Sequence, residues 1–178
     1  METTNSNSRR TFLSKSIKGA VLVGAGATFA GSLIEPMTVL AQTSNAALQA
    51  QIVKLGTASL QTSQLALTKA TNPEVKLFAK FEAAEQQTMG KILKDMGTPT
   101  PAPSPEGTAL LNKLQSLSGA AFDKAFMQGQ VQTHQKLHTT VAALNASGDL
   151  HVKHVTSLAL ATITEHTERG QMLLAKLG

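Results

Sequence analysis

The sequence predicts an all-α protein, an antiparallel four-helix bundle with one short extra helix before the third long one. Three observations carry this. Glycine and proline are confined to a few short stretches, and the segments between them are rich in helix formers. Within those segments apolar residues recur at helical spacing. No alternating β-branched run and no hairpin dipeptide between apolar segments suggests a strand. At 178 residues, 42% apolar and 15% charged, the chain suits one hydrophobic core and is not disordered by composition.

Residues 1–41 read as a twin-arginine signal peptide. Arg9 and Arg10 precede Phe12 and Leu13 at the offsets such a signal uses, and an uncharged Gly/Ala-rich run follows from Gly19 to Ile34. Val39-Leu40-Ala41 places cleavage after Ala41. The apolar run is short of the about 20 residues that a spanning helix needs, so no stable membrane anchor is expected after cleavage. The implied partner is the twin-arginine export machinery, and the implied location is the periplasm. That route carries folded proteins. A cofactor acquired before export, or simply rapid folding of locally connected helices, would each create the need.

The expected domain is 42–178. Its first long helix runs from about Asn45 to Ala70. Asn72-Pro73-Glu74 supplies an N-cap, a proline for the first turn and an acid beside the positive helix end, so the second starts there and Gly97 stops it. The proline-rich 98–105 is an extended connector. Ser104-Pro105-Glu106 begins the short helix, to about Leu117. Ser118 caps the third long helix, which continues to about Ala146, where Ser147-Gly148 breaks it. Asp149 caps the fourth, which reaches almost to Gly178.

Composition excludes several functions. Beyond residue 41 the balance is twelve basic to nine acidic residues, a net +3, scattered without runs. With no Trp or Tyr to stack on bases, nucleic acid is not an expected partner. No cysteine is present, so disulfides, thiolate metal sites and a cysteine nucleophile are absent. No nucleophile motif or Gly-rich phosphate loop suggests catalysis. The +3 charge favours at best a loose contact with anionic envelope surfaces, and association into a homo-oligomer stays open.

The second helix carries a heptad stripe, Val75, Phe78, Glu82, Glu85, Met89, Ile92 and Met96, that places both acids toward the interior. In the third long helix Phe126, His134, Leu137, Val141 and Leu144 share a face, with His138 near its edge. In the fourth, Val152, Ala159, His166 and Leu173 recur every seven residues. Glu165 lies about a hundred degrees from His166 and is expected to point elsewhere. The first helix offers only Gln61 and Gln64 near that level. Glu82, Glu85, His134 and His166 are therefore candidate ligands for one divalent metal ion, with His138 and Glu165 secondary; His134 and His138 also make an i,i+4 pair suited to zinc or copper. The same residues suit a second account, in which the acids sit at a wet edge and the histidines are hydrogen-bonded core residues. No Glu-x-x-His pair is present, so a di-iron site of the usual kind is not expected. His151 and His154 should face solvent.

The phrases Asn72-Pro73-Glu74-Val75-Lys76-Leu77-Phe78-Ala79 and Leu117-Ser118-Gly119-Ala120-Ala121-Phe122-Asp123-Lys124, with Leu65-Ala66-Leu67 and Glu165-His166, resemble the domain of unknown function 4142 family. The resemblance covers residues 45–177 and implies an exported protein with a ferritin-like fold. It also implies an ancestral metal site, built from an acid-His dipeptide on each of three helices and a glutamate on the first. This chain keeps Glu165-His166, has Thr133 before His134, reads Glu85-Gln86 on the second helix and has Gln61 at the glutamate position. The expectation is thus a non-catalytic periplasmic bundle with an incomplete metal site. The alternative is a divalent metal-binding protein for storage, scavenging or oxidative-stress protection. A single site requires both imidazoles to face inward within reach of one ion.

Overall fold

A computed structural model describes residues 35–178, with side chains from residue 45 onward. Arg9, Arg10, Phe12 and Leu13 lie outside the described residues. The described chain is all-helical: α1 (Glu35–Lys69), α2 (Pro73–Asp95), α3 (Pro105–Gln115), α4 (Gly119–Ser147) and α5 (Leu150–Leu177). No strand occurs among the described residues, and none of these helices is long and apolar enough to cross a membrane.

Local chemistry sets most boundaries where the sequence places them. The Asn72 side chain accepts from the Glu74 and Val75 N–H groups at 2.8 and 3.3 Å, Ser104 from Gly107 at 3.0 Å, and Asp149 from Val152 at 2.9 Å. Gly97, at φ 86°, ends α2: its N–H returns to the Lys94 carbonyl and that of Thr98 to Leu93, a Schellman closure. Three expectations change. α1 begins at Glu35 rather than near Asn45, because Pro36 suits a first turn and nothing between them breaks a helix. Ala41 therefore lies inside a continuous helix. Ser118 occupies the N-cap of α4 but its hydroxyl makes no capping bond. Finally, the inward stripe of α2 drifts off the strict heptad. Leu93 is buried while Ile92 is exposed, since a straight helix turns about 20° per heptad away from a 3.5-residue repeat.

α1 packs against α2, α4 and α3, and α4 packs against α5. Cross-helix bonds fix the directions. Asn45 reaches Ser147, Ser59 reaches Gln130 and Thr71 reaches Asp123, so α1 and α4 are antiparallel. The short links after Lys69 and after Ser147 turn α2 back along α1 and α5 back along α4, pairs bridged by the Ser59–Glu82 and Asn145–Thr156 bonds. The backbones of α2 and α5 approach little. They are linked by side chains, Glu74 to Lys176 at 2.8 Å near one end and Glu82 to His166 further along.

Apolar burial forms two clusters. One gathers Ala66, Val75, Phe78, Leu114, Phe122, Phe126 and Leu173; the other gathers Ile52, Leu55, Leu93, Leu137, Val141, Leu144, Ala159 and Ile163. On each of the four long helices the residue numbers between the two sets mark one intervening layer, and there the interior turns polar.

Candidate metal centre

That layer is occupied by Glu82 from α2, His134 from α4 and His166 from α5, all buried, with Ser59, Thr62 and Ser63 from α1 and Gln130 from α4 behind them. The helical period delivers each residue. Glu82 follows Val75, Phe78 and Ala79 on one face. His134 lies between Gln130 and Leu137, and His166 one turn after Ile163. Phe78 packs on both imidazoles, with ring centroids 6.5 Å from His134 and 5.5 Å from His166, and so holds the rings at a 5.3 Å separation.

One carboxylate oxygen is the focus. Glu82 Oε2 lies 3.2 Å from His134 Nε2 and 2.6 Å from His166 Nδ1. Both contacts are close in distance yet off-line in angle: Glu82 Oε2 and His134 Nε2 have no hydrogen-bond partner. The outer nitrogens explain why. His134 Nδ1 sits 2.8 Å from the Gln130 carbonyl, which can only accept, so that nitrogen carries the proton. His166 Nε2 lies 3.3 Å from both Glu85 and Glu165 carboxylates, again acceptors. His134 therefore turns the lone pair of Nε2 inward, and that nitrogen, His166 Nδ1 and a Glu82 carboxylate oxygen lie within 4.8 Å of one another. A buried carboxylate and an imidazole lone pair at that distance need positive charge beside them, either a proton on His166 or a metal ion.

Further bonds orient these side chains from behind. The Ser59 hydroxyl donates to Glu82 Oε1 at 2.5 Å. A ring nitrogen bound to a carbonyl or carboxylate on its far side is the usual way a histidine ligand is oriented. Nitrogen and oxygen donors without sulfur suit zinc, ferrous iron, cobalt or manganese rather than a soft ion such as Cu(I). Three protein ligands leave coordination positions open for water or another molecule.

The charges respond accordingly. Burial pushes the Glu82 carboxyl up, but the His134 and His166 rings and the Ser59 hydroxyl outweigh it and hold it well below the ordinary 4.5. Burial lowers His166, and Glu82, followed by Glu85 and Glu165, more than reverses this and raises it above 6.5. Glu85 is raised by burial, opposed by His166 and reinforced by Glu82 and Glu165.

Of the sequence candidates, Glu82, His134 and His166 come together as expected. Glu85 does not face the interior. It stands 45% exposed at the α2/α5 edge, touching only the outer nitrogen of His166. Glu165 corrects the sequence argument in the other direction. Although rotated from His166, its flexible side chain reaches His166 Nε2 at that edge and is held by Arg169 one turn on. His138 is exposed, in a surface depression with Gln135, Thr164 and Glu168, so it forms no paired site with the inward His134. His151 and His154 are exposed. Gln64 is exposed and Gln61 only half-buried; α1 presents Ser59, Thr62 and Ser63 instead. Those residues were readable from the spacing Ile52, Leu55, Ser59, Thr62, Ala66, as was Gln130 from its place before His134 and Leu137.

Over residues 35–173 the chain matches the family described as "Domain of unknown function (DUF4142)". Its fold is similar to that in a crystal structure of a DUF305 fragment from Deinococcus radiodurans, with a TM-score of 0.64 and 15% identity over 75% of this chain and 96% of that one. No curated protein matches it.

Proposed function

The chain belongs to the DUF4142 family, and on that premise we propose that it is a metal-binding protein holding one divalent ion at Glu82 Oε2, His134 Nε2 and His166 Nδ1. The observation that carries the reading is the convergence of Glu82 Oε2, His134 Nε2 and His166 Nδ1, three buried residues' atoms within 4.8 Å of one another, with Glu82 Oε2 and His134 Nε2 lacking a hydrogen-bond partner. A cation among them satisfies both.

The proposal includes a ferritin-like four-helix bundle. Each of the four neighbouring pairs runs antiparallel, and the link from α2 to α4, containing α3, crosses the molecule. It also includes export through the twin-arginine route, supported by Arg9-Arg10 and the apolar run after it. One ion per chain with open coordination suits scavenging or protection from oxidative stress better than bulk storage. The non-catalytic bundle with an incomplete site is the weaker reading, since the three ligands converge without the family residues this chain lacks.

Titration calorimetry and elemental analysis with Zn(II), Mn(II) and anaerobic Fe(II) test it. The full chain should take up one ion, and Glu82→Gln, His134→Ala and His166→Ala should each abolish uptake while remaining helical. Ser59→Ala should weaken affinity by roughly 10- to 100-fold, as loss of a ligand-orienting bond does. A folded, helical wild type that binds none of these ions sinks the reading and leaves a proton-held cluster, His166 imidazolium on Glu82.

A further inference from the structure

Beside the centre, on the open side where α2 and α5 fail to pack, runs an apolar cleft of about 340 Å³. Its walls include Met89 and Leu93 of α2, Leu137 of α4, and Val155, Ala159 and Ile163 of α5. Phe81, Ile92 and Leu158 stand on its rim, and Leu158 is 70% exposed. The volume falls within the about 300–1,000 Å³ of small-molecule sites. The cleft is elongated, since the stretch of α2 from Phe81 to Leu93 rises about 18 Å along its axis.

The polar groups of the cleft select its occupant. No lysine, arginine or histidine lines it among the described residues, and its one charge is Glu85, near the end closest to His166. The hydroxyl protons of Thr88, Thr156 and Thr162 are already given to carbonyls of their own helices, at Ala84, Val152 and Leu158. Gln86 lies against Gly56 on the neighbouring helix. The cleft therefore offers an acceptor with negative charge, and among its described side chains the neutral Gln86 amide is the donor not given to a helix carbonyl. A carboxylate or phosphate head group would be repelled, and a neutral apolar molecule would leave Glu85 with only its 3.3 Å contact to His166 Nε2.

We propose that this cleft is a binding site for a cationic amphiphile, a long-chain primary alkylammonium whose chain lies along the α2/α5 cleft and whose ammonium pairs with Glu85. None of Glu82, His134 and His166 lines the cleft, but Glu85 lies 3.3 Å from His166 Nε2, so the amine is tested with any ion removed.

The test is calorimetry of the full chain in excess chelator with decylamine, decanol and decanoate, each below its micelle concentration. Decylamine should bind best. Glu85→Gln should weaken it about fivefold, the worth of one half-exposed ion pair, and leave decanol unchanged. Ala159→Leu, which fills the cleft with a side chain that suits the core, should weaken decylamine and decanol alike by at least tenfold, with helicity kept by circular dichroism. Decanoate binding as tightly as decylamine overturns the proposal, as does undiminished binding in Ala159→Leu. So does sedimentation showing that the ligand-free chain is a dimer whose subunits release no cleft for the amine. Because chelator is present throughout, failure here leaves the metal reading untouched, and failure of metal uptake leaves this one standing.

Discussion

The two apolar clusters are built from the same four long helices, yet they differ in kind. The cluster around Phe122 and Phe126 is closed. Phe122 and Phe126 stack with centroids 6.1 Å apart, Phe78 meets Phe126 edge-on, and Val75, Leu114 and Ala66 have no exposure at all. Asp123 ties this end together by accepting from the N–H groups of Thr71 and Asn72 and the Thr71 hydroxyl. The cluster around Leu137 and Leu144 is aliphatic, contains no aromatic ring and borders the cleft between α2 and α5. One end fixes geometry and the other leaves access. The histidines and Glu82 sit between them, held by Phe78 from the closed side and reached by solvent at Glu85 and Glu165.

This contrast can be broken or sharpened by experiment. The largest effect belongs to the closed end: Phe126→Ala should cost about 3–5 kcal/mol in urea unfolding, as aromatic truncations in full cores do. A loss under 1 kcal/mol would mean that the end is not packed as described. Next comes Asp123→Ala, which strands two backbone donors and a hydroxyl. It should cost about 1–3 kcal/mol, with hydrogen exchange at Thr71 and Asn72 accelerated.

The layer between should then impose a pH signature on metal-free protein. Glu82 is depressed when folded, so its stabilisation is present above about 4.5 and is lost as pH falls through its folded value. His166 is raised when folded, so its stabilisation is full below about 6.5 and is lost as pH rises through its folded value. Thermal midpoints should peak between those limits, and His166→Gln should remove the alkaline fall while keeping the acid one. A flat profile would contradict the coupling of the two groups. The smallest effect is at the open rim, where Leu158→Ser should shift stability by no more than about 0.5 kcal/mol. A cost several times larger would mean that Leu158 is covered, and the cleft closed.

Local chemistry made the helices legible. Asn72, Ser104 and Asp149 cap because their side chains serve donors within three residues, which needs no knowledge of the rest of the chain. The start of α1 was not legible, since helix formers continue on both sides of Asn45. At the site, His134 and His166 stand out as imidazoles on apolar stripes. Glu85 was misplaced because a strict heptad ignores the drift that buries Leu93. Ser59, Thr62 and Gln130 carry no charge: spacing puts them on inward faces, but their hydrogen-bond partners emerge only when three helices meet. The two phrases that best marked the family, around Asn72 and around Asp123, have a physical link: the carboxylate of one holds the backbone of the other.

Ser59 sets a limit on what this frame can become. α1 faces the centre with a hydroxyl, which orients Glu82 at 2.5 Å and contributes no charge of its own. A carboxylate grown at that position by mutation would set two acids side by side in a buried layer, an arrangement tolerated only with further positive charge between them. Serine at 59 thus leaves Glu82 as the one acid buried in this layer among the described residues, and it is the position on α1 where an added charge would most disturb it.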